Sequence, residues 1–278
     1  MKTKARKVLK IIIPILFSVI LMLICTFGFY QYGRKRQYTR NLITAIKNND
    51  MEELARLIEQ GGDISALPYS IFDLDVENHA PLFYAAYYDN FEAVKMLVEA
   101  GADVNAAACN GWSPLYGAIH FAPEENFRIA RYLIEHGADI HYNKDVGGRA
   151  AISSLLNTAP GGEDEELFSF FLYLLEKGAY LEESPEGHVL FDACRSDSNI
   201  LIVQYIFENY DIDINMRSQH KRGHKDTLLM RTTCWDASQV CALLLRYGAD
   251  KTLTNSEGKT AYDLAIQYGG QNVAALLE

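Results

Sequence analysis

A chain of 278 residues with 49% hydrophobic and 22% charged side chains has the apolar content of a folded protein, so disorder is not its default state. Its net charge of −10 is unevenly spread: ten of the 26 Lys and Arg precede residue 48 with no acidic residue among them, whereas residues 48–278 hold all 36 Asp and Glu and carry −20. A body this acidic repels phosphate backbones and points away from nucleic acid; it either favours a basic protein surface as partner or serves only to keep the chain soluble. The five cysteines (Cys25, Cys109, Cys194, Cys234 and Cys241) include no C-x-x-C pair, so neither a zinc site nor a redox dithiol is signalled.

In chain order, a basic tail comes first (residues 1–10), with Lys2, Lys4, Arg6, Lys7 and Lys10. Residues 11–30 then carry no charge. Twenty helical residues reach roughly 30 Å, the thickness of a hydrocarbon core, and Pro14 is placed in the first turn of such a helix, where a missing N–H costs least. A cleaved signal peptide would have a shorter apolar region and small residues at its cleavage site. Here CTFGFY follows Ile24, and Cys25 lacks the small neighbour of a lipoprotein signal. The segment therefore reads as an uncleaved single-pass transmembrane helix, followed by a basic linker (residues 31–40) with Arg34, Lys35, Arg36 and Arg40. The anchor is similar to a bacterial inner-membrane signal anchor. The basic tail places the N-terminus in the cytosol and the body on the periplasmic side, although the cations after the run pull the other way.

From about residue 41 one pattern recurs. FEAVKMLVEAGADVN begins at Phe91, FRIARYLIEHGADIH at Phe127 and SQVCALLLRYGADKT at Ser238, with looser copies from Phe170 (FFLYLLEKGAYLE) and Ile202 (IVQYIFENYDIDIN). Each holds an amphipathic helix, a stop and the start of a tight turn, a unit that buries its apolar face only by stacking on its neighbours. This pattern resembles the ankyrin repeat. The resemblance implies an all-α solenoid over residues 41–278, about seven helix-turn-helix units with β-hairpin-like fingers and a concave groove. Asp63, Asp103, Asp139, Tyr180, Asp213 and Asp250 mark the G-A-D position of successive units.

The units are read as follows. The first has helices near 41–48 and 51–60. The second is opened by Ala80, Pro81 and Leu82, after an insertion within 65–79. The third starts as NGWSPLYGAIH at Asn110. The fourth departs most, with GGRAAISSLLN at 147–157 and an acidic, Gly-rich loop over 159–166, and the array is expected to fail first there. The fifth is GHVLFDACRSD (187–197), and the sixth DTLLMRTTCWD (226–236) follows a finger insertion at 217–226. NSEGKTAYDLAIQYGGQNVAALLE closes the chain. Cys194 and Cys241 fall at apolar repeat positions, where Cys is a small hydrophobe.

Partner contacts in the ankyrin family lie on the finger tips and at the end of the inner helix. The matching positions here include His79, Tyr87 and Tyr88 in unit two, Trp112, His120 and Phe121 in unit three, Arg149 in unit four and Trp235 in unit six. Aromatic groups in a groove bury large areas at little rotamer cost, so the cluster of units two and three reads as a binding patch. The alternative is that Trp112 packs on the neighbouring finger and Tyr88 fills the helix reversal. A second candidate is the basic finger with Arg217, Lys221, Arg222 and Lys225, read either as a grip on an acidic segment or as a solvated loop paired with acidic neighbours.

No G-x-S-x-G, H-E-x-x-H, Walker or dinucleotide fingerprint occurs, and nothing supplies an activated nucleophile. The chain therefore reads as non-catalytic, without a cofactor: a membrane-tethered module that binds a protein through its groove and fingers, with a basic partner suited to its charge. One alternative is an immunity or inhibitor protein that caps a basic toxin or effector. Another is a metal- or redox-linked envelope protein using His220, His224 and Cys234.

Overall fold

The computed structural model describes residues 2–65, 79–106, 112–121, 127–141, 150–157, 164–182, 188–219 and 224–278, with the backbone alone for 2–16 and 164. Among these residues the regular structure is helical, and the helices come in pairs. They are α1 (Lys2–Lys47) with α2 (Met51–Glu59), α3 (Pro81–Tyr87) with α4 (Phe91–Glu99), α5 (Pro114–His120) with α6 (Arg128–Glu135), and α7 (Ala151–Leu156) with α8 (Asp164–Glu176). Then follow α9 (Leu190–Ala193) with α10 (Ile200–Asn209), α11 (Leu228–Arg231) with α12 (Ser238–Arg246), and α13 (Ala261–Tyr268) with α14 (Gln271–Leu277). The odd-numbered helices pack in sequence as an inner row; α2, α4 and α6, and then α8, α10, α12 and α14, pack as an outer one.

Local chemistry explains the repeat. Pro81 and Pro114 begin α3 and α5, where their fixed φ is already helical. Ser113 Oγ and Asn90 Oδ1 accept the Tyr116 and Ala93 amides and cap α5 and α4. The inner helices approach closely: a side chain at Gly117 would meet the Phe83 ring at 3.2 Å. Each outer helix of the regular units ends on a glycine in the left-handed region, as at Gly101 (φ 88°) and Gly137 (φ 90°). The Asp that follows accepts the amide two residues on, Asp103 from Asn105 and Asp139 from His141, both at 2.9 Å. Asn105 then ties units together, since its Oδ1 accepts the Asp139 amide and its Nδ2 donates to the Gly137 carbonyl.

Several expectations are corrected. The basic segment 31–40 is no linker, because α1 runs through it without a break and carries straight into the first repeat. Pro14 is accordingly interior to α1 and not in its first turn. Asp164 to Glu166, expected in a loop, form the first turn of α8, where acidic side chains complement the helix dipole. Much of each finger lies outside the described residues; among the described residues no regular strand forms, and one isolated antiparallel bridge joins Arg217 to Thr227. The finger insertion within 65–79 lies largely outside the described residues. Among the described residues no helix is long and apolar enough to cross a membrane. The expected span, 11–30, begins where side chains are not described; from Phe17 onward its apolar side chains are exposed, Phe17 at 68% and Phe29 at 78%.

Candidate partner-binding surface

The ends of α3 and α5 lie side by side and bring the aromatic residues of units two and three into one sheet of rings. Tyr87 is 4.9 Å from Phe121 and 5.0 Å from Tyr88, and Phe121 lies 5.5 Å from Trp112. Tyr116 stacks under both Trp112 (5.2 Å) and His120 (5.1 Å). Tyr87, Tyr88 and Phe121 are exposed at 36%, 44% and 38%, whereas Trp112 and His120 are half-buried. His79 departs from expectation: it is buried, stacked on Phe83 at 4.0 Å and on Trp112 at 5.5 Å, so it supports the patch from within. Trp112 packs on its neighbours, as the alternative has it, with its ring bordering the patch at Phe121, while Tyr88 stands at the C-cap of α3 with its ring exposed. Lys47, at the end of α1, sits 5.2 Å over Tyr84 and 6.0 Å over Tyr88, which gives the patch a cationic edge.

Phe83 and Tyr116 were not singled out from the sequence. Their signal was the i, i+4 spacing that places Phe83 under Tyr87 and Tyr116 under His120 on one helix face.

Trp235 belongs elsewhere. It is 52% exposed and carries the Arg195 guanidinium 4.5 Å over its ring. Arg195 also donates from Nη1 to Asn157 Oδ1 at 2.9 Å, so units four, five and six meet there. With Ser196, Asp197 and Asp236 these two line a shallow cleft of about 520 Å³. Both carboxylates are occupied: Asp197 accepts the Val240 amide, and Asp236 accepts the Asn272 and Val273 amides. Arg195 was missed because an Arg at the end of an inner helix reads as a solvated charge.

The basic finger is tied to its neighbours. Arg217 Nη1 donates to the Lys225 carbonyl at 3.0 Å and to the Thr254 carbonyl at 2.8 Å, so it closes the finger and anchors it on the next unit. His224 Nδ1 lies 3.1 Å from Glu257, whose carboxyl is held below its ordinary range by Lys259 first and by His224 second. Lys225 remains exposed. Lys221, Arg222 and His220 lie outside the described residues, as does Arg149. Among the described residues no group of three or more His, Cys, Asp or Glu could hold a metal ion. Burial pushes the Cys194 thiol up, and Cys241 to about 11, so neither supplies a thiolate near neutral pH.

Residues 42–144 match the family model for ankyrin repeats in three copies. Protein phosphatase 1 regulatory subunit 27 of Mus musculus is 35% identical over 103 residues, which is 37% of this chain and 60% of that protein. BRCA1-associated RING domain protein 1 of Caenorhabditis elegans is 33% identical over 117 residues, 42% of this chain and 15% of that protein. The chain thus spans less than two thirds of the length of these relatives. The crystal structure of the human ASB11 ankyrin repeat domain superposes with a TM-score of 0.62 at 22% identity, covering 85% of this chain and 97% of that one, a likeness of fold.

Proposed function

We propose that this chain of ankyrin repeats is a non-catalytic module that binds a protein partner through the aromatic patch of units two and three. The observation that carries the proposal is the exposed face of Tyr87, Tyr88 and Phe121 on a rigid base of Phe83, His79 and Tyr116. Rigid, amphipathic rings on an ordered backbone lose little entropy on docking, and such residues dominate interface energies. The regulatory subunit among its relatives supports a binding role by likeness. The charge of −20 over residues 48–278 adds a preference for a basic partner, whose encounter would slow as salt rises.

The finer reading is that α1 tethers the module to a membrane through residues 11–30. What supports it is chemistry: apolar side chains exposed along 17–30 need a solvent other than water, and basic residues flank the run on both sides. The charge of the N-terminal tail favours the repeats on the side opposite the tail, the periplasmic side if the cell is Gram-negative.

The test compares the full chain with a Tyr87→Ser/Phe121→Ser variant, both crosslinked in their own cells. A protein joined to the wild type and absent from the variant supports the patch. Identical adducts from the two would sink it. An inhibitor of a basic toxin or effector would be the specific form of this function if the crosslinked protein is basic and its binding collapses with salt.

A further inference from the structure

Resting on the tethering reading, we propose that the cleft between α1 and the turn after α2 is a headgroup site for an anionic phospholipid. The cleft is about 630 Å³ and is lined by Gln31, Arg34, Lys35, Tyr38, Gln60 and Asp63, with Gly61 and Gly62 completing the turn. It has a fixed floor. The Tyr38 hydroxyl donates to the Leu57 carbonyl at 2.8 Å, and Gly62 lies so close to the Tyr38 ring that a side chain there would collide with it. Burial holds the Tyr38 phenol above its ordinary range, so it stays neutral.

Charge and depth choose the ligand. Asp63, the one carboxylate in the lining, is paired with Lys35 at 2.6 Å. Arg34 makes no ion pair among the described residues, so the cleft has one uncompensated cation, a planar fork suited to two oxygens of a phosphodiester. The side-chain amides of Gln31 and Gln60 add neutral donors on either side. Arg34 lies four residues beyond the end of the uncharged run, about 6 Å along the helix, the depth of headgroups next to a hydrocarbon core. A lipid is favoured over free phosphate because its chains would lie along the exposed apolar face that includes Phe27 and Tyr30. A zwitterionic headgroup brings its own cation to Arg34 and Lys35, and so is disfavoured.

The experiment places the full chain in nanodiscs of phosphatidylcholine, with and without phosphatidylglycerol, and reads the thermal midpoint and the lipid retained in native mass spectra. Phosphatidylglycerol is expected to raise the midpoint and to be retained in preference, by about fivefold for a single cation, Arg34. Arg34→Gln should abolish the preference. Gln31→Ala with Gln60→Ala, which leaves the charge unchanged, should weaken it. Full retention of the preference in that uncharged double variant would mean diffuse surface charge and would overturn the site. Equal behaviour in the two discs would overturn it as well, and so would inorganic phosphate reproducing the shift in phosphatidylcholine discs. A chain that enters neither disc would bring down the tethering reading, and the site with it; a chain that enters both without preference brings down the site alone.

Discussion

Units two and three and units four and five reach the same stacked arrangement by different means. In the first region the bonds are local. Pro81 and Pro114 start the inner helices, Gly101 and Gly137 end the outer ones, Asp103 and Asp139 close the turns, and Asn105 braces one turn on the next. In the second these devices thin out. Inner helix α7 starts from Ala150 with no side-chain cap, α9 has only four residues, Tyr180 occupies the Asp position, and Asp211, after an extended Tyr210, stands where other units have a left-handed glycine. Long-range polar bonds take their place. Ser153 Oγ donates to the buried Asp192 at 2.9 Å, and Asn199 Nδ2 donates to the Leu156 and Ala193 carbonyls. The junction of the two regions is aromatic: Phe127 stacks on Phe170 at 4.3 Å, and Arg131 lies 4.4 Å over the Tyr173 ring. The lesson is that a solenoid can replace turn chemistry with buried side-chain bonds, yet the aromatic patch sits on the region where the turns are regular.

The largest effect should come from cutting that junction. Phe170→Ala removes a fully buried ring and is expected to cost about 3–5 kcal/mol. Because contacts run between neighbours, the loss should appear as two transitions. Trp112 and Trp235 lie on opposite sides of the junction, so urea titrations of variants retaining only one of them would separate the halves. A single coincident transition would show that the two regions melt as one.

Next in size is Asn105→Ala. It leaves the Asp139 amide and Gly137 carbonyl without this partner at an exposed site, and about 1 kcal/mol is expected from the Trp112 signal. Conversely, Tyr180→Asp installs the missing turn acceptor in unit four at the cost of the stack on His141, 5.2 Å away. A gain of up to about 1 kcal/mol, read from the Trp235 signal, is expected if turn chemistry is what unit four lacks. A loss would mean that the stack had already replaced it.

Acid should act on the irregular region. His188 is buried and accepts the Leu190 amide at Nδ1, and burial holds its pKa below the ordinary histidine value. The unfolded chain therefore binds the proton more readily, and stability should fall as pH drops below that ordinary value, about 6.5. His188→Gln should flatten this dependence in equilibrium unfolding between pH 7 and 5. An unchanged slope would assign the acid response to other groups. The smallest effect is expected where function is placed: Tyr87→Ser and Phe121→Ser, both on exposed rings, should each shift stability by roughly 0.5 kcal/mol or less.

This contrast also explains what could be read from the sequence. Gly, Asp and Pro at fixed offsets are local signals, so the helix pairs and their order were legible, as were the exposed Tyr87, Tyr88 and Phe121. The Ser153–Asp192 and Arg195–Asn157 bonds join residues 39 and 38 positions apart, and no local pattern announces them. His79 was misplaced because its position in the repeat says nothing of the Trp112 ring that covers it. The charge of segment 31–40 suggests a linker, but its Gln, Arg and Lys are good helix formers and Gly33 alone does not break α1.

The most direct measurement is photocrosslinking along the inner row in the native cell, with a benzophenone amino acid placed in turn at Tyr88, Phe121, Trp235 and Tyr268. If the patch on units two and three is the binding face, one partner protein is joined from positions 88 and 121 and not from 268. Adducts equally strong from all four positions, or from 235 and 268 alone, would contradict it.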